Sequence, residues 1–284
     1  MTMQDTAEIL VQALPYMQQY YGKKVVVKYG GNAMINDELR NQVMSDIILM
    51  KCIGIEPILV HGGGPEISKC LNKLQIESKF INGLRYTDKD TIDIVQMVLG
   101  GKVNKDIVSL IHRNGGKAIG LCGMDGALIS AKKLEVQDDL GYVGEITSIN
   151  TDVLKMTMNA GYIPVVASVG ISENGEEVYN INADTCASKI ASALKAEKLI
   201  LLTDVPGVMM DPKVKESLIS ILRLHQIPKL TMDNVIKGGM IPKIDCCIES
   251  IRMGVHRTHI LDGRIPHSIL LELFSHDGIG TMIY

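Results

Sequence analysis

Six short runs rich in β-branched and aliphatic residues, KVVVKY, EPILVHG, KAIGLC, IPVVASVG, KLILLTDV and RTHILDG, recur along the chain with helical patterns between them. That alternation constrains the fold more than any other feature, because parallel strands need long crossovers and a helix is the usual one. It predicts an α/β protein with a mainly parallel central sheet. Between the first two runs, Leu39, Val43, Ile47 and Met50 repeat at helical spacing behind Asn36, which fits an N-cap. Thr87 and Asp90 have capping-box spacing ahead of a helix in which Ile92, Val95 and Val98 share a face.

Two regions break the alternation. The segment ISAKKLEVQDDLGYVGEITSIN has short polar–apolar alternations interrupted by Gly, the pattern of an antiparallel insertion or hairpin. Residues 4–20 place Ile9, Leu10, Ala13, Leu14 and Met17 on an amphipathic helix with a bend expected at Pro15. Such a helix needs a partner, either its own body or another subunit. A boundary near Val178 divides the chain into this helix (1–21), an N-terminal lobe (22–177) and a C-terminal lobe (178–284), whose strands can still belong to one sheet.

Composition narrows the function. The 284 residues suffice for one large α/β unit or two lobes, and 29 basic against 32 acidic side chains give a net charge of −3. No broad positive field exists to draw in nucleic acid or an anionic membrane. With no Trp and only Phe80 and Phe274, stacking platforms for single strands are not expected, and a small polar ligand fits better. Cys52, Cys70, Cys122, Cys186, Cys246 and Cys247 form no C-x-x-C pair and read as reduced thiols rather than metal ligands or disulfides. The N-terminus has acids where a secretion signal needs bases, and no apolar run reaches the roughly 20 residues of a membrane span, so a soluble protein is expected.

The chemistry-bearing motifs point to anions. VVVKYGG carries Lys28 to the end of an apolar strand and follows it with Gly30 and Gly31, which suits a phosphate approached by an ammonium and bare backbone. VHGGGPEI ends a second strand in Gly62, Gly63 and Gly64, with Pro65 suited to the first position of a helix, another ready anion site. Two such turns on neighbouring strands would meet at the carboxyl edge of the sheet, where open α/β folds bind ligands. HGGG also occurs in esterases, but the required G-x-S-x-G elbow is missing, as are the Walker loop and the dinucleotide fingerprint.

Three further segments have two readings each. In KGGMIPKIDCCIESIRMG, Pro242 suits the first helical position, which puts Lys243 at the positive end of a helix dipole. There it is either a solvated lysine or, with Gly238 and Gly239, half of a phosphate clamp. In NINADTCASKIASALKA, Asp184 is either an acid favoured by its own helix start or the carboxylate that holds two lysines. In NGLRYTD, Arg85 is either solvated or a planar fork for a carboxylate. His256 and His259 in HRTH point to opposite faces of a strand, which disfavours a metal pair.

Taken in order, VVVKYGG, ILVHGGGPEI, NGLRYTD, YNINADT, LLTDVPGV and GGMIPK resemble the amino acid kinase family, and within it the N-acetylglutamate kinases, from about Val25 to the C-terminus. The resemblance implies an αβα sandwich with an acyl amino acid site in the N-terminal lobe and an ATP site in the C-terminal lobe. It implies phosphorylation of the side-chain carboxylate of N-acetyl-L-glutamate, on the way to ornithine and arginine. By motif, Lys28 and Lys243 are similar to the lysines that neutralise the transferring phosphoryl group, and Asp184 to the residue that organises them. Gly30, Gly31, Gly62 and Gly239 resemble phosphate-facing backbone, Gly63 and Gly64 also touch substrate, and Arg85 and Asn180 resemble its carboxylate and acetamido contacts.

The same resemblance implies ATP with Mg²⁺ carried on its phosphates and no dedicated protein metal cage. The N-terminal helix and the tail HSILLELFSHDGIGTMI are similar to arginine-inhibited members that link dimers into a homohexamer. That makes Glu272 and Gly280 expected arginine contacts, although the tail also reads as an ordinary strand-closing turn. Cyanobacterial and plastid members add the PII signalling protein as a partner, and the implied compartment is the cytoplasm or, for an algal or plant chain, the plastid stroma. Two segments depart from the family pattern: Met124 stands in GLCGMDG where a lysine is usual, and DPKVKESLISILRLHQIPKL leaves the adenine contacts unassigned. The competing expectations are a family member acting on another acidic group and a catalytically silent arginine sensor, which the joint presence of Lys28, Asp184 and Lys243 disfavours.

Overall fold

Each of the six apolar runs forms a strand. The computed structural model describes residues 2–34 and 36–284. In the first half, α1 (Met3–Tyr20), β1 (Lys24–Tyr29), α2 (Asp37–Cys52), β2 (Glu56–His61) and α3 (Gly64–Lys73) lead to a small hairpin of β3 (Phe80–Ile81) and β4 (Leu84–Arg85). Next come α4 (Lys89–Gln96), a π-helical segment (Met97–Val103), α5 (Asn104–Arg113), β5 (Ala118–Cys122), β6 (Ile129–Lys133) and β7 (Gly144–Ile149). Then follow α6 (Asp152–Asn159), β8 (Ile163–Ala167), β9 (Val169–Ile171), β10 (Val178–Asn180), α7 (Ala183–Ala193) and β11 (Lys198–Thr203). The chain finishes with β12 (Ile221–Leu222), α8 (Ile227–Met232), α9 (Met240–Arg252), β13 (Arg257–Asp262), α10 (Ser268–Leu273) and β14 (Thr281–Ile283).

The main sheet has eight strands in the order β12-β14-β13-β11-β1-β2-β8-β5. Its pairings are parallel except for β13 with β14. Strands from before and after Val178 therefore share one sheet, with β1 between β2 and β11. Because successive side chains alternate between faces, β1 sends Val25 and Val27 to one helical layer and Val26 to the other. The first layer packs Val43, Ile47, Leu71 and Ile111 on the sheet, and the second packs Leu154, Ile190, Ile244 and Cys247. The result is a three-layer αβα sandwich. The Gly-broken insertion forms the antiparallel pair β6–β7, bulged between Ser130 and Ala131, in a second sheet ordered β10-β9-β6-β7.

Local expectations need two corrections. Asp88 rather than Thr87 caps α4, accepting the Thr91 N–H at 2.8 Å, because the Thr87 hydroxyl donates instead to Arg85 O. Helix α9 begins at Met240, so Pro242 is its third residue; the turn at Gly238, with φ of +55°, starts the helix early. N–H groups in a first turn have no partner within the helix, and those of Met240 and Ile241 donate back to Lys237 O and Gly238 O, so Pro242 costs the helix no internal hydrogen bond. Helix α1 runs through Pro15, started by a capping box between Thr2 and Asp5. Among the described residues no helix is long and apolar enough to cross a membrane.

Candidate active site

Lys28 lies near the carboxyl end of β1 and faces α7, whose start is fixed by Asn182 accepting the N–H groups of Asp184 and Thr185. That cap sets Asp184 in the first turn, with its carboxylate between two ammonium groups. Lys28 Nζ is 3.0 Å from Oδ1, and Lys243 Nζ, from the first turns of α9, is 2.5 Å from Oδ2. Burial alone would raise the Asp184 pKa, but the two lysines hold it below the ordinary carboxylate value. Two cations on one anion leave a local excess of positive charge, so an incoming anion completes the cluster.

The glycines explain how the ammonium is aimed. A Cβ at Gly30 would stand 2.6 Å from Lys28 Nζ, so a bare position lets the lysine curl back over its own strand end. Gly31 adopts φ of +67° and a Cβ there would meet Asp204 Oδ1 at 2.5 Å. A Cβ at Gly63 would come within 2.6 Å of Leu99 from the π segment, whereas Gly64 and Gly239 face space with nothing within 4 Å.

Two cavities meet at this point. One of about 230 Å³ is lined by Lys28, Gly30, Gly31, the Gly62–Gly64 turn, Arg85 and Asn180. A larger one of about 820 Å³ is lined by Lys28, Gly31, Gly239, Lys243, the Thr203–Met209 loop, Lys237 and Arg264. Lys28 and Gly31 belong to both. In the smaller cavity the Arg85 guanidinium is held by Gly64 O at 3.0 Å, by Ser68 Oγ at 2.9 Å and by Ser78 Oγ, and lies 4.6 Å from the centre of the Phe80 ring. Asn180 donates to Thr87 Oγ1 at 3.2 Å. Met124 accepts from Gln96 Nε2 through its sulfur at 3.6 Å, so a thioether takes the position where a lysine was expected. Among the described residues no group of three or more His, Cys, Asp and Glu side chains converges as a metal ligand set.

Glu272 and Gly280 lie elsewhere, at the junction of α10 with the final strand. Glu272 Oε1 pairs with His259 Nδ1 at 2.6 Å, and Oε2 accepts the N–H groups of Ile279 and Gly280 at 2.7 and 3.1 Å. His259 Nε2 is in turn 2.8 Å from Lys198 Nζ, which lies 5.3 Å from the Tyr20 ring at the end of α1. Tyr16 of α1 meets Phe274 edge-on at 6.4 Å.

Sequence reasoning missed the nucleotide-sized side of the site. Thr203, Val205, Pro206, Lys237 and Arg264 line the larger cavity; the first three lie in LLTDVPGV and Lys237 opens KGGMIPK, both segments in which these residues had no assigned role, and Arg264 had no signal. Ser168 and Asn182 also line the smaller cavity; Asn182 lies in the YNINADT motif as the residue where the helix opens, and Ser168 had no signal.

The chain belongs to the amino acid kinase family, whose pattern its residues 23–262 match. Within that class it is 71% identical over 280 residues to a protein of Clostridium beijerinckii named acetylglutamate kinase, covering 99% of this chain and 98% of that one. A relative of the same name in Clostridium kluyveri is 59% identical over 284 residues, all of both chains. Among solved structures, N-acetylglutamate synthase from Neisseria gonorrhoeae, complexed with coenzyme A and N-acetyl-glutamate, shares the fold with a TM-score of 0.85 and 26% identity. That match covers 98% of this chain, which spans 63% of the longer synthase.

Proposed function

We propose that this chain transfers the γ-phosphoryl group of ATP to the side-chain carboxylate of N-acetyl-L-glutamate, giving N-acetyl-L-glutamyl 5-phosphate in arginine biosynthesis. The observation that carries the reading is that Lys28, paired with Asp184 and thereby with Lys243, lines both cavities. The acyl amino acid occupies the smaller cavity, with Arg85 on its α-carboxylate and Asn180 on its acetamido group, and ATP occupies the larger. A carboxylate oxygen attacks the γ-phosphorus, the bond to the β,γ-bridging oxygen breaks, and ADP leaves with that electron pair. The acceptor is already anionic at neutral pH, so no general base is required.

Phosphoryl transfer asks mainly for alignment and for positive charge around the migrating oxygens. Lys28 and Lys243 supply that charge, while Asp184 keeps two flexible ammonium groups at one place. Backbone N–H groups of the Gly30–Gly31 and Gly62–Gly64 turns approach the phosphoryl oxygens where no Cβ intervenes. Mg²⁺, held on the nucleotide phosphates, supplies further charge neutralisation when bound. The test is ATP consumption with N-acetylglutamate, glutamate, aspartate and UMP in parallel. Turnover confined to N-acetylglutamate is expected, and turnover on another acceptor alone would replace the reading.

A second reading concerns regulation. The buried Lys198–His259–Glu272 cluster beside the end of α1 favours arginine as an inhibitor, with Glu272 for its guanidinium and Gly280 backbone nearby. Exposed Ile9, Leu10, Val11 and Leu14 on α1 favour a contact between subunits in a homo-oligomer. Repeating the assay with arginine, and sizing the protein with and without residues 1–21, tests both.

A further inference from the structure

His61 ends β2, fully buried, one residue before the glycine turn. Both ring nitrogens are engaged: Nδ1 is 2.9 Å from Gly62 O and Nε2 is 3.0 Å from the Asn104 amide nitrogen. A carbonyl oxygen only accepts, so Nδ1 carries the hydrogen and Nε2 is left to accept from Asn104. Burial pushes the His61 pKa down to about 4, which keeps the ring neutral in this role.

Asn104 is itself fully buried, at the start of α5 directly after the π segment. Its amide nitrogen also donates to Val165 O at 2.9 Å, and its Oδ1 accepts from Lys105 Nζ at 3.0 Å. The room for this amide is made by Gly120, where a Cβ would lie 1.8 Å from Asn104 Oδ1. Residues of β2, β8, β5 and α5 are thus tied into one polar knot beneath the Gly62–Gly64 turn. Neither His61 nor Asn104 lines the cavity. Apolar side chains would fill the same space without the cost of burying polar groups, so the hydrogen bonds themselves need a reason.

The Gly62–Gly63 peptide supplies it. In a planar trans peptide the C=O and the following N–H point in opposite directions. A Gly62 carbonyl held by His61 therefore turns the Gly63 N–H away from the knot. We propose that His61, oriented by Asn104 in the slot left by Gly120, is a positioning residue that locks the Gly62–Gly63 peptide with its N–H facing the transferring phosphoryl group. The identity of that ligand rests on the kinase reading above; the lock itself does not.

The test uses the full chain and two substitutions. His61→Asn keeps a donor near the place of Nδ1, whereas His61→Gln moves its amide to the place of Nε2 and abandons Gly62 O. Histidine nitrogen NMR of the ¹⁵N-labelled protein at neutral pH is expected to show a Nδ1–H tautomer whose signal disappears in His61→Gln. His61→Gln is expected to lose about 10-fold to 100-fold in kcat, with KM for both substrates within about threefold, the size associated with small misplacements of an otherwise intact site. His61→Asn should keep kcat within about threefold. A Nε2–H tautomer, a folded His61→Gln with undiminished kcat, or equal losses in both variants would overturn the proposal. If the wild-type chain transfers no phosphoryl group to N-acetylglutamate, the kinase reading fails, and the tautomer alone still decides the lock.

Discussion

Lys28, Asp184 and Lys243 gather where the parallel strands end, whereas Lys198, His259 and Glu272 gather toward strand beginnings on the other face of the sheet. Both groups combine lysine with a carboxylate, but their charges are balanced differently. At the carboxyl edge two ammonium groups share one anion beside two cavities. In the other group, one lysine and one glutamate sit on either side of a histidine, and the Glu272 oxygens are filled by His259 and two backbone N–H groups. The side chains of His259 and Glu272 are 1% and 5% exposed, against 12% for Lys28 and 22% for Lys243, so one cluster is closed and the other is open to ligand. Excess charge kept within reach of solvent marks a place for chemistry; charge satisfied internally marks structure or a site that must rearrange to bind.

The largest expected effect is on turnover. Lys28→Ala and Lys243→Ala should each cut kcat by roughly 10² or more, as removal of a transition-state charge donor does, with little change in Tm. Lys198→Met should leave kcat, measured without arginine, within about threefold. Equal losses from both clusters would erase the distinction between them. Next, on the proposed reading that arginine inhibits through Glu272, Glu272→Gln should raise the arginine concentration for half-inhibition by about tenfold or more, a charge-assisted contact being worth about 1.5–3 kcal/mol. Unchanged inhibition would remove the second cluster from regulation. Arg85→Lys, which loses the planar fork, should raise KM for N-acetylglutamate about fivefold while KM for ATP stays within about twofold; a selective ATP defect would overturn its assignment.

The smallest effect is on stability against pH. Burial pushes His259 from 6.5 down to about 4. Burial would raise Glu272, yet the His259 contact and the N–H groups of Ile279 and Gly280 bring it from 4.5 to about 2. In both cases the unfolded chain takes up its proton at a higher pH than the folded one. Stability should therefore fall on acidification from about pH 6.5 and continue to fall toward about pH 2. Glu272→Gln should flatten the lower part of that limb in a series of thermal melts, and an unchanged slope would show that the carboxylate contributes nothing there.

Much of this was legible from local pattern. The strands follow from β-branched runs, the two glycine turns from HGGG and KYGG, and the α2 start from Asn36, which accepts the N–H groups of Glu38 and Leu39. The resemblance supplied the pairing of Asp184 with Lys243, which are 59 residues apart and would not be joined by spacing alone. What stayed hidden depends on contacts made only after folding. Thr87 and Asp88 are both good caps, and the choice was made by Thr87 donating to Arg85 O. Gly120 looks like an unremarkable strand glycine until Asn104 arrives from a different element. His61 reads as the polar end of an apolar strand, and nothing in the sequence gives its tautomer.

The π segment between α4 and α5 has a consequence for how this chain can change length. Each helical residue advances the rotation by about 100°. That holds for an α-helical stretch, but a π turn carries one residue more than an α turn, so loss of one residue from Met97–Val103 can close the turn to α geometry and leave Asn104 and Ile107 on the sheet. A side chain added at Gly100 or Gly101 would meet nothing within 4 Å. A single-codon deletion should therefore be tolerated here better than in the flanking helices, and side chains should be tolerated at Gly100 and Gly101 but not in place of the buried Val98, Leu99 and Val103.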